Sequence, residues 1–371
     1  MRPGDDRAPR CRGALEREEP GARGLERLAR NPECRRLFAL TAAGVSPRTA
    51  AARIYREPPT GGESPFALAQ GTAFEHRVLG PAGAGLAQLY AARTQLPRRP
   101  GDVRDLSARW SAGRHLAPEQ RLQATREVVA GKLAGATPAP ALVVKPLLEV
   151  QLVGVPCRIE PDALVASEAD ALYRVVEIKA YEDRGGQTSA ADLRSACRQA
   201  AVGVVALRQA VAQLGVGKPA DLVPATADLV LRAPRGFAPR LHTMSIEAEV
   251  ASLERLSGDW AAAAADLERL LPPGTALDDP AVLEAVPTRY RLACQEHCAL
   301  APHCRAAAVG AGDPALLGET VVEQLGAVGS LTRALELLSG AGTPRSADER
   351  RGAERLQALA RAYREVLTDA G

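Results

Sequence analysis

The chain lacks any run of about 18 uncharged apolar residues, so no membrane-spanning helix is expected. The nearest candidate, Gln199 to Gly217, is broken by Arg208. Met1 to Arg12 holds no apolar h-region, so no signal peptide is expected. Aromatic residues reach only 3%, and most of the 46% hydrophobic fraction is Ala, Val and Leu. Neither sign of charge dominates: 47 basic side chains face 44 acidic ones, a net charge of +3. Any nucleic-acid footprint must therefore be local rather than spread over the chain. No G-x-x-x-x-G-K-[ST] loop is present, which argues against a P-loop ATPase. No internal repeat of fixed period is found.

Lysine and asparagine are nearly missing. Lys132, Lys145, Lys179 and Lys218 are the only lysines, leaving 43 arginines among the 47 basic residues, and Asn31 stands alone. This bias has the look of GC-rich codon choice, so Ala and Arg say little about function. A rare residue says more. An arginine stays charged and cannot share a proton with water, so a retained lysine marks a place where arginine would not serve. Lys179 is the strongest such place.

A length of 371 residues suits about two domains. Seven cysteines without a secretion signal fit a reducing cytoplasm, where clustered thiols bind metal or react. Residues 1–30 read as a flexible tail and 31–136 as helices. Residues 137–250 form an α/β core, 251–310 a helical region with a cysteine cluster, and 311–371 a C-terminal helical extension. Three strand-like runs cover Ala141–Val155, Pro156–Ala166 and Leu172–Ala180. Ser189 opens a helix to about Leu214, strands follow at Asp228 and Leu241, and a helix runs from Ile246 to about Leu271. Ser346-Ala-Asp-Glu349 fits a capping box, opening a last helix with the stripe Leu356, Leu359, Tyr363 and Leu367.

The sharpest feature is Pro161-Asp162 on one strand and Glu177-Ile178-Lys179 on the next. Strand alternation puts Glu177 and Lys179 on one face, and pairing of the two strands brings Asp162 beside them. Adjacent carboxylates repel and suit a hard divalent cation. A neighbouring ammonium can stabilise hydroxide and charge developing on a phosphate. His76 lies upstream in Gly71-Thr-Ala-Phe-Glu-His, and Gln199 lies in the helix after the strands.

Gly-x4-His, then Pro-Asp, Glu-x-Lys and a following Gln resembles the PD-(D/E)XK nuclease superfamily, in its RecB-like branch. The resemblance implies a restriction-endonuclease-like core, a central mixed sheet flanked by helices. It implies that Asp162, Glu177, the carbonyl of Ile178 and His76 hold Mg²⁺ or Mn²⁺. It implies that Lys179 positions or activates water and that Gln199 supports the lysine or a phosphate. The family often has an aromatic residue four positions after the glutamine, where this chain has Gly203.

Cys294, Cys298 and Cys304 lie within eleven residues. A tetrahedral site wants a fourth ligand. His297 or His303 would give zinc, and Cys34 is the distant alternative. One cysteine before the core and three after it resembles the iron–sulfur RecB-like nucleases, which include CRISPR-associated exonucleases and AddB-type subunits. That resemblance implies a [4Fe–4S] cluster on Cys34, Cys294, Cys298 and Cys304, joining the N- and C-terminal helical regions. The late triplet is usually C-x2-C-x5-C. Here the second gap matches and the first is three residues.

The function expected is a metal-dependent deoxyribonuclease, an exonuclease acting on DNA ends or single strands. Arg109, Arg194 and Arg198 are candidates for backbone contacts. The competing readings are a catalytically silent DNA-binding scaffold, with the C-terminal helices docking a protein partner, and a zinc-binding regulatory protein.

Overall fold

A computed structural model describes residues 11–55, 65–94, 102–107, 116–135, 139–152, 156–166 and 172–369. They divide into two units. The first comprises Met1–Pro32, Phe38–Ser46 and Glu63–Ala276. The second comprises Glu33–Leu37, Pro47–Gly62 and Leu277–Gly371.

The first unit is mixed α/β. Its strands are β1 (Val103–Asp105), β2 (Leu142–Val144), β3 (Leu148–Gln151), β4 (Pro156–Ile159), β5 (Ala163–Val165), β6 (Arg174–Glu182), β7 (Thr226–Arg232) and β8 (Pro239–Ser245). Six of them form a mixed sheet in the order β1-β2-β5-β6-β7-β8. β1 and β2 are parallel, as are β6 and β7, and the other neighbours run antiparallel. β3 and β4 make a separate antiparallel pair.

Two interruptions shape this layout. The expected run Ala141–Val155 breaks after β2, because Pro146 offers no N–H to a ladder and Lys145 turns to φ +49°. The next run breaks at Pro161, between β4 and β5. β1 lies in a stretch read as helical, and three residues are too short for a period-two signal.

β6 is the hub. Val176 and Ile178 face one side and join a core with Phe74 and Val78 of the helix Pro65–Leu79 and Leu86 and Tyr90 of the helix Ala84–Thr94. The opposite face meets the helix Ala190–Leu214, capped by Ser189 Oγ accepting from Asp192 N at 3.3 Å. Gly203 of that helix is a contact point. A Cβ there would fall 3.0 Å from Val175 Cγ1 and 3.5 Å from Pro161 Cγ. An aromatic side chain has no room at this position.

Residues 22–30, read as tail, form the helix Ala22–Arg30 with Leu25 and Leu28 fully buried. Four Arg and Glu side chains among nine residues concealed this short apolar pair.

In the second unit, Leu325, Val328, Ala334, Leu337 and Ala353 form a small core. Gly352 permits a close crossing, since a Cβ there would lie 3.0 Å from the Leu325 carbonyl oxygen. The last helix, Ala347–Asp369, buries Gly352 and Ala353 with Leu356 against them, while Leu359 of the expected stripe is exposed. The side chains of Tyr363 and Leu367 lie outside the described residues. Ser346 Oγ accepts from Glu349 N at 3.0 Å, one half of the capping box. The Glu349 carboxylate goes instead to Arg345 N and to Arg333, at 2.7 Å from Arg333 Nε.

The Arg333 hydrogen bonds hold the Glu349 carboxyl down from 4.5 to about 2. A depressed folded-state value gives stability that is complete above the ordinary carboxylate range and lost as pH falls towards about 2. Glu349→Gln should therefore be less stable than wild type at neutral pH, by urea unfolding. The difference should shrink as pH falls from about 4.5, and a gap that persists unchanged at the acid end contradicts the assignment.

Candidate active site

β5 and β6 pair Ala163 with Val176. One step further along, that register sets Asp162 across from Glu177. Asp162 Oδ2 accepts from Ile178 N at 2.7 Å. Glu177 and Lys179 share a face, as strand alternation requires. Lys179 Nζ lies 2.7 Å from Glu177 Oε1 and donates to Gln199 Oε1 at 2.9 Å.

Gln199 is buried and belongs to a longer chain of polar contacts. Its Nε2 donates to Ser195 Oγ at 3.4 Å, and Ser195 Oγ donates to Glu26 Oε1 at 3.4 Å. Glu26 is buried and pairs with Arg30 Nε at 2.6 Å. The N-terminal helix thus reaches the site through one file of side chains. Composition concealed these contacts, since Arg and Glu are common throughout the chain.

Burial pushes the Glu177 carboxyl up from its ordinary value, and Asp162 adds to this while Lys179 and Lys145 oppose it. Burial works against the Lys179 ammonium, but Glu177 and Asp162 outweigh it and raise the net value. A carboxylate driven up and an ammonium held charged, side by side, is an arrangement found at functional sites.

The structure adds residues that the sequence did not single out. Lys145 Nζ lies 2.6 Å from Asp162 Oδ1, 2.7 Å from Glu75 Oε1 and 3.7 Å from Glu160 Oε1. Arg121 Nη2 donates to Glu160 Oε2 at 2.6 Å and to the Lys145 carbonyl at 2.7 Å. The ion pairs of this cluster run through Glu75, and its helix neighbour His76 is exposed. Scarcity of lysine was the one available signal for Lys145.

Arg194 is exposed and Arg198 half-buried on the helix that carries Gln199. Burial and the nearby Arg30 lower the Arg198 pKa, against Glu26 and Glu249. Arg109 lies outside the described residues. Asp228, a buried acid on β7, is satisfied by Tyr90 at 2.8 Å, Thr243 at 2.6 Å and Arg174 at 3.2 Å.

The donors near Asp162 are hard oxygens, the chemistry that Mg²⁺ and Mn²⁺ prefer. Asp162 and Glu177 are close enough for each charge to bear on the other, and an ammonium already sits on the Asp162 carboxylate. The residues fit such an ion. Among the described residues, however, no group of three or more His, Cys, Asp or Glu is arranged as a metal site.

The four proposed cluster cysteines all belong to the second unit. Burial pushes the Cys298 thiol up to about 12, with Cys304, Cys294 and Cys34 adding to the shift. Burial pushes Cys304 up to about 11, while Arg36, whose Nη1 lies 3.7 Å from Cys304 Sγ, opposes it. Cys34 and Cys294 thus lie near enough to Cys298 and Cys304 to act on their charge, although among the described residues these cysteines are not arranged as a metal site. The His303 ring stacks on Tyr55, with centroids 3.7 Å apart. Cys157 and Cys197, in the first unit, are buried, and Cys11 is half-buried.

No family model matches the chain, and no curated protein matches it. A solved structure titled "Crystal structure of SSO0001" aligns with 67% of this chain and 79% of its own, at 13% identity and a TM-score of 0.26. A score that low carries no argument. No helix among the described residues is long and apolar enough to cross a membrane.

The raised thiols make a direct expectation, because the thiolate is the reactive form. In metal-free protein at pH 8, iodoacetamide should label Cys298 and Cys304 more slowly than it labels N-acetylcysteine. Equal rates, followed by mass spectrometry, would contradict the burial argument.

Proposed function

We propose that the protein is a metal-dependent DNA nuclease of the PD-(D/E)XK type on a restriction-endonuclease-like core. One observation carries the reading. Asp162 stands across neighbouring antiparallel strands from Glu177, and Lys179 is clamped between Glu177 and Gln199. Such a constellation can support metal-assisted hydrolysis of a phosphodiester, and here a strand pair rather than loops holds it.

A divalent Mg²⁺ or Mn²⁺ ion would polarise the phosphodiester and lower the pKa of a bound water. Asp162, Glu177 and the Ile178 carbonyl are its holders in this reading, with His76 as the further ligand implied by the family. Lys179 keeps its charge because Glu177 and Asp162 outweigh its burial. Its ammonium therefore orients water and offsets charge developing on the phosphate. Gln199 fixes the direction of that ammonium, so it acts as a positioning residue. In this reading Arg194 and Arg198, on the same helix as Gln199, would contact the nucleic-acid backbone, which supplies most of the affinity for DNA. Cys34, Cys294, Cys298 and Cys304 hold a [4Fe–4S] cluster in this reading, with zinc as the other occupant four such ligands admit.

Purified protein should cleave labelled linear DNA in Mg²⁺ or Mn²⁺ and stop in EDTA. Asp162→Asn and Lys179→Met should each lower the rate by at least about 100-fold while leaving the circular dichroism spectrum intact. Unchanged cleavage in both variants would refute the assignment, and an absence of any cleavage by the wild type would favour the silent scaffold. A circular substrate separates endonuclease from exonuclease action.

The cluster is tested separately. Anaerobically purified protein should contain about four iron and four acid-labile sulfide per chain and absorb broadly near about 400 nm. Stoichiometric zinc with no such absorption would replace the cluster with a zinc site.

A further inference from the structure

Lys145 stands where β2 ends, in a backbone conformation that L residues rarely adopt. Its φ is +49°, and Ala82 is the other non-glycine residue with positive φ among those described. Pro146 follows and narrows its choices further. The surroundings impose this pose from both sides. Lys145 N donates to the Asp162 carbonyl at 3.0 Å, and Arg121 Nη2 donates to the Lys145 carbonyl at 2.7 Å. Leu147 N donates to the Oγ1 of the fully buried Thr125 at 3.1 Å. Strain kept in place in this way belongs to functional sites more often than elsewhere.

The pose delivers a cation to the carboxylates. Lys145 Nζ sits 2.6 Å from Asp162 Oδ1 and 2.7 Å from Glu75 Oε1, with Glu160 at 3.7 Å. Asp162 is then fully engaged, because its other oxygen accepts from Ile178 N. Four carboxylates gather here, Glu75, Glu160, Asp162 and Glu177, against the cations Lys145, Arg121 and Lys179. Without Lys145 the excess of negative charge would double, from one to two. A divalent ion that takes Asp162 must first take it from Lys145.

We propose that Lys145 is a built-in counter-ion of this site: its ammonium holds Asp162 in the metal-free protein and yields the carboxylate to the incoming divalent cation. The proposal rests on the metal-site reading above. It makes Lys145 a positioning residue that sets how tightly the metal is held. The exchange needs no bond chemistry. One monovalent side-chain cation leaves an anionic oxygen and a divalent ion replaces it. Lys145 stays close by, tethered through its backbone, and keeps repelling the ion.

Direct Mn²⁺ binding, followed by the electron paramagnetic resonance signal of free Mn²⁺, tests this without any cleavage assay. Lys145→Met keeps the length of the side chain and removes its charge. It should bind Mn²⁺ at least about tenfold more tightly than wild type, the order expected for removing one partly buried charge next to the ion. Lys145→Arg should stay within about threefold of wild type, because it keeps the charge. Equal affinity in wild type and Lys145→Met would overturn the proposal, and if Asp162→Asn still abolishes binding, the metal-site reading survives that loss. If wild type binds no Mn²⁺ that Asp162→Asn removes, the metal site and the proposal fall together.

Should Lys145→Met fail to fold, the wild type itself decides. The chain has four lysines, so each can be followed by mass spectrometry after labelling with an N-hydroxysuccinimide ester. Mn²⁺ should speed labelling of Lys145 relative to Lys132 and Lys218, because the ammonium leaves its ion pairs. A Lys145 rate that Mn²⁺ leaves unchanged or slows would overturn the proposal.

Discussion

Charge compensation where β5 meets β6 is the constraint on which the first unit turns. Asp162 and Glu177 are both almost fully buried, and they face each other across one strand pair. Burying a carboxylate is costly unless it is paired and hydrogen-bonded. Each therefore has its own ammonium: Lys145 on Asp162, Lys179 on Glu177. Replacing these four groups by well-packed apolar ones would cost the fold little or would stabilise it. Stability alone does not explain why they stand there, and the nuclease reading proposed above would give them a use.

The packing around that pair is arranged to keep it fixed. Val176 and Ile178 alternate with Glu177 and Lys179, so the residues that anchor β6 in the core also aim the charged ones. The backbone of β6 takes part, because Ile178 N is the donor to Asp162 Oδ2. On the far side, the Ala190–Leu214 helix can come down onto Pro161 and Val175 only because residue 203 is glycine. That close approach sets Gln199, one turn earlier, at hydrogen-bonding distance from Lys179. The glycine at 203 and the placement of Gln199 against Lys179 are thus two results of one packing contact.

What could be read from the sequence followed the strength of local signals. Glu177, Lys179 and Asp162 were legible because strand alternation and a Pro-Asp pair are local patterns. The helix after β6 was legible because Ser189 caps it and Asp192 supports its first turn. Lys145 and Glu75 were not. Their meeting depends on a left-handed backbone turn before Pro146, and on a helix 70 residues earlier in the chain packed on the sheet face by Phe74 and Val78. No window of sequence contains that. The Ala22–Arg30 helix escaped for a different reason. Two leucines three residues apart are too few to show a period amid arginine and glutamate, and its order comes from tertiary burial. Leu359 erred in the opposite direction. Its spacing suited a stripe, but the actual contact face follows Gly352 and Ala353, where the helices cross most closely.

The same logic separates the two kinds of site. The oxygen site is assembled on a continuous sheet, where pairing register alone sets Asp162 against Glu177. The thiols have no such frame. Cys34 reaches the second unit through a five-residue segment, Glu33–Leu37, tied by Arg36 N to the Pro287 carbonyl at 3.1 Å and by Arg36 Nη2 to the Glu284 carbonyl at 3.1 Å. Arg36 also offers its guanidinium to Cys304. One arginine thus both fastens the segment that carries the first cysteine and places positive charge beside the last. Thiols raised by burial give up their protons only to something that repays the cost, and a metal centre bound by thiolates does so. In this part of the chain, a thiolate-bound centre of the kind proposed would therefore couple binding to folding. The centre would supply the order that the β5–β6 pair supplies to the oxygen site.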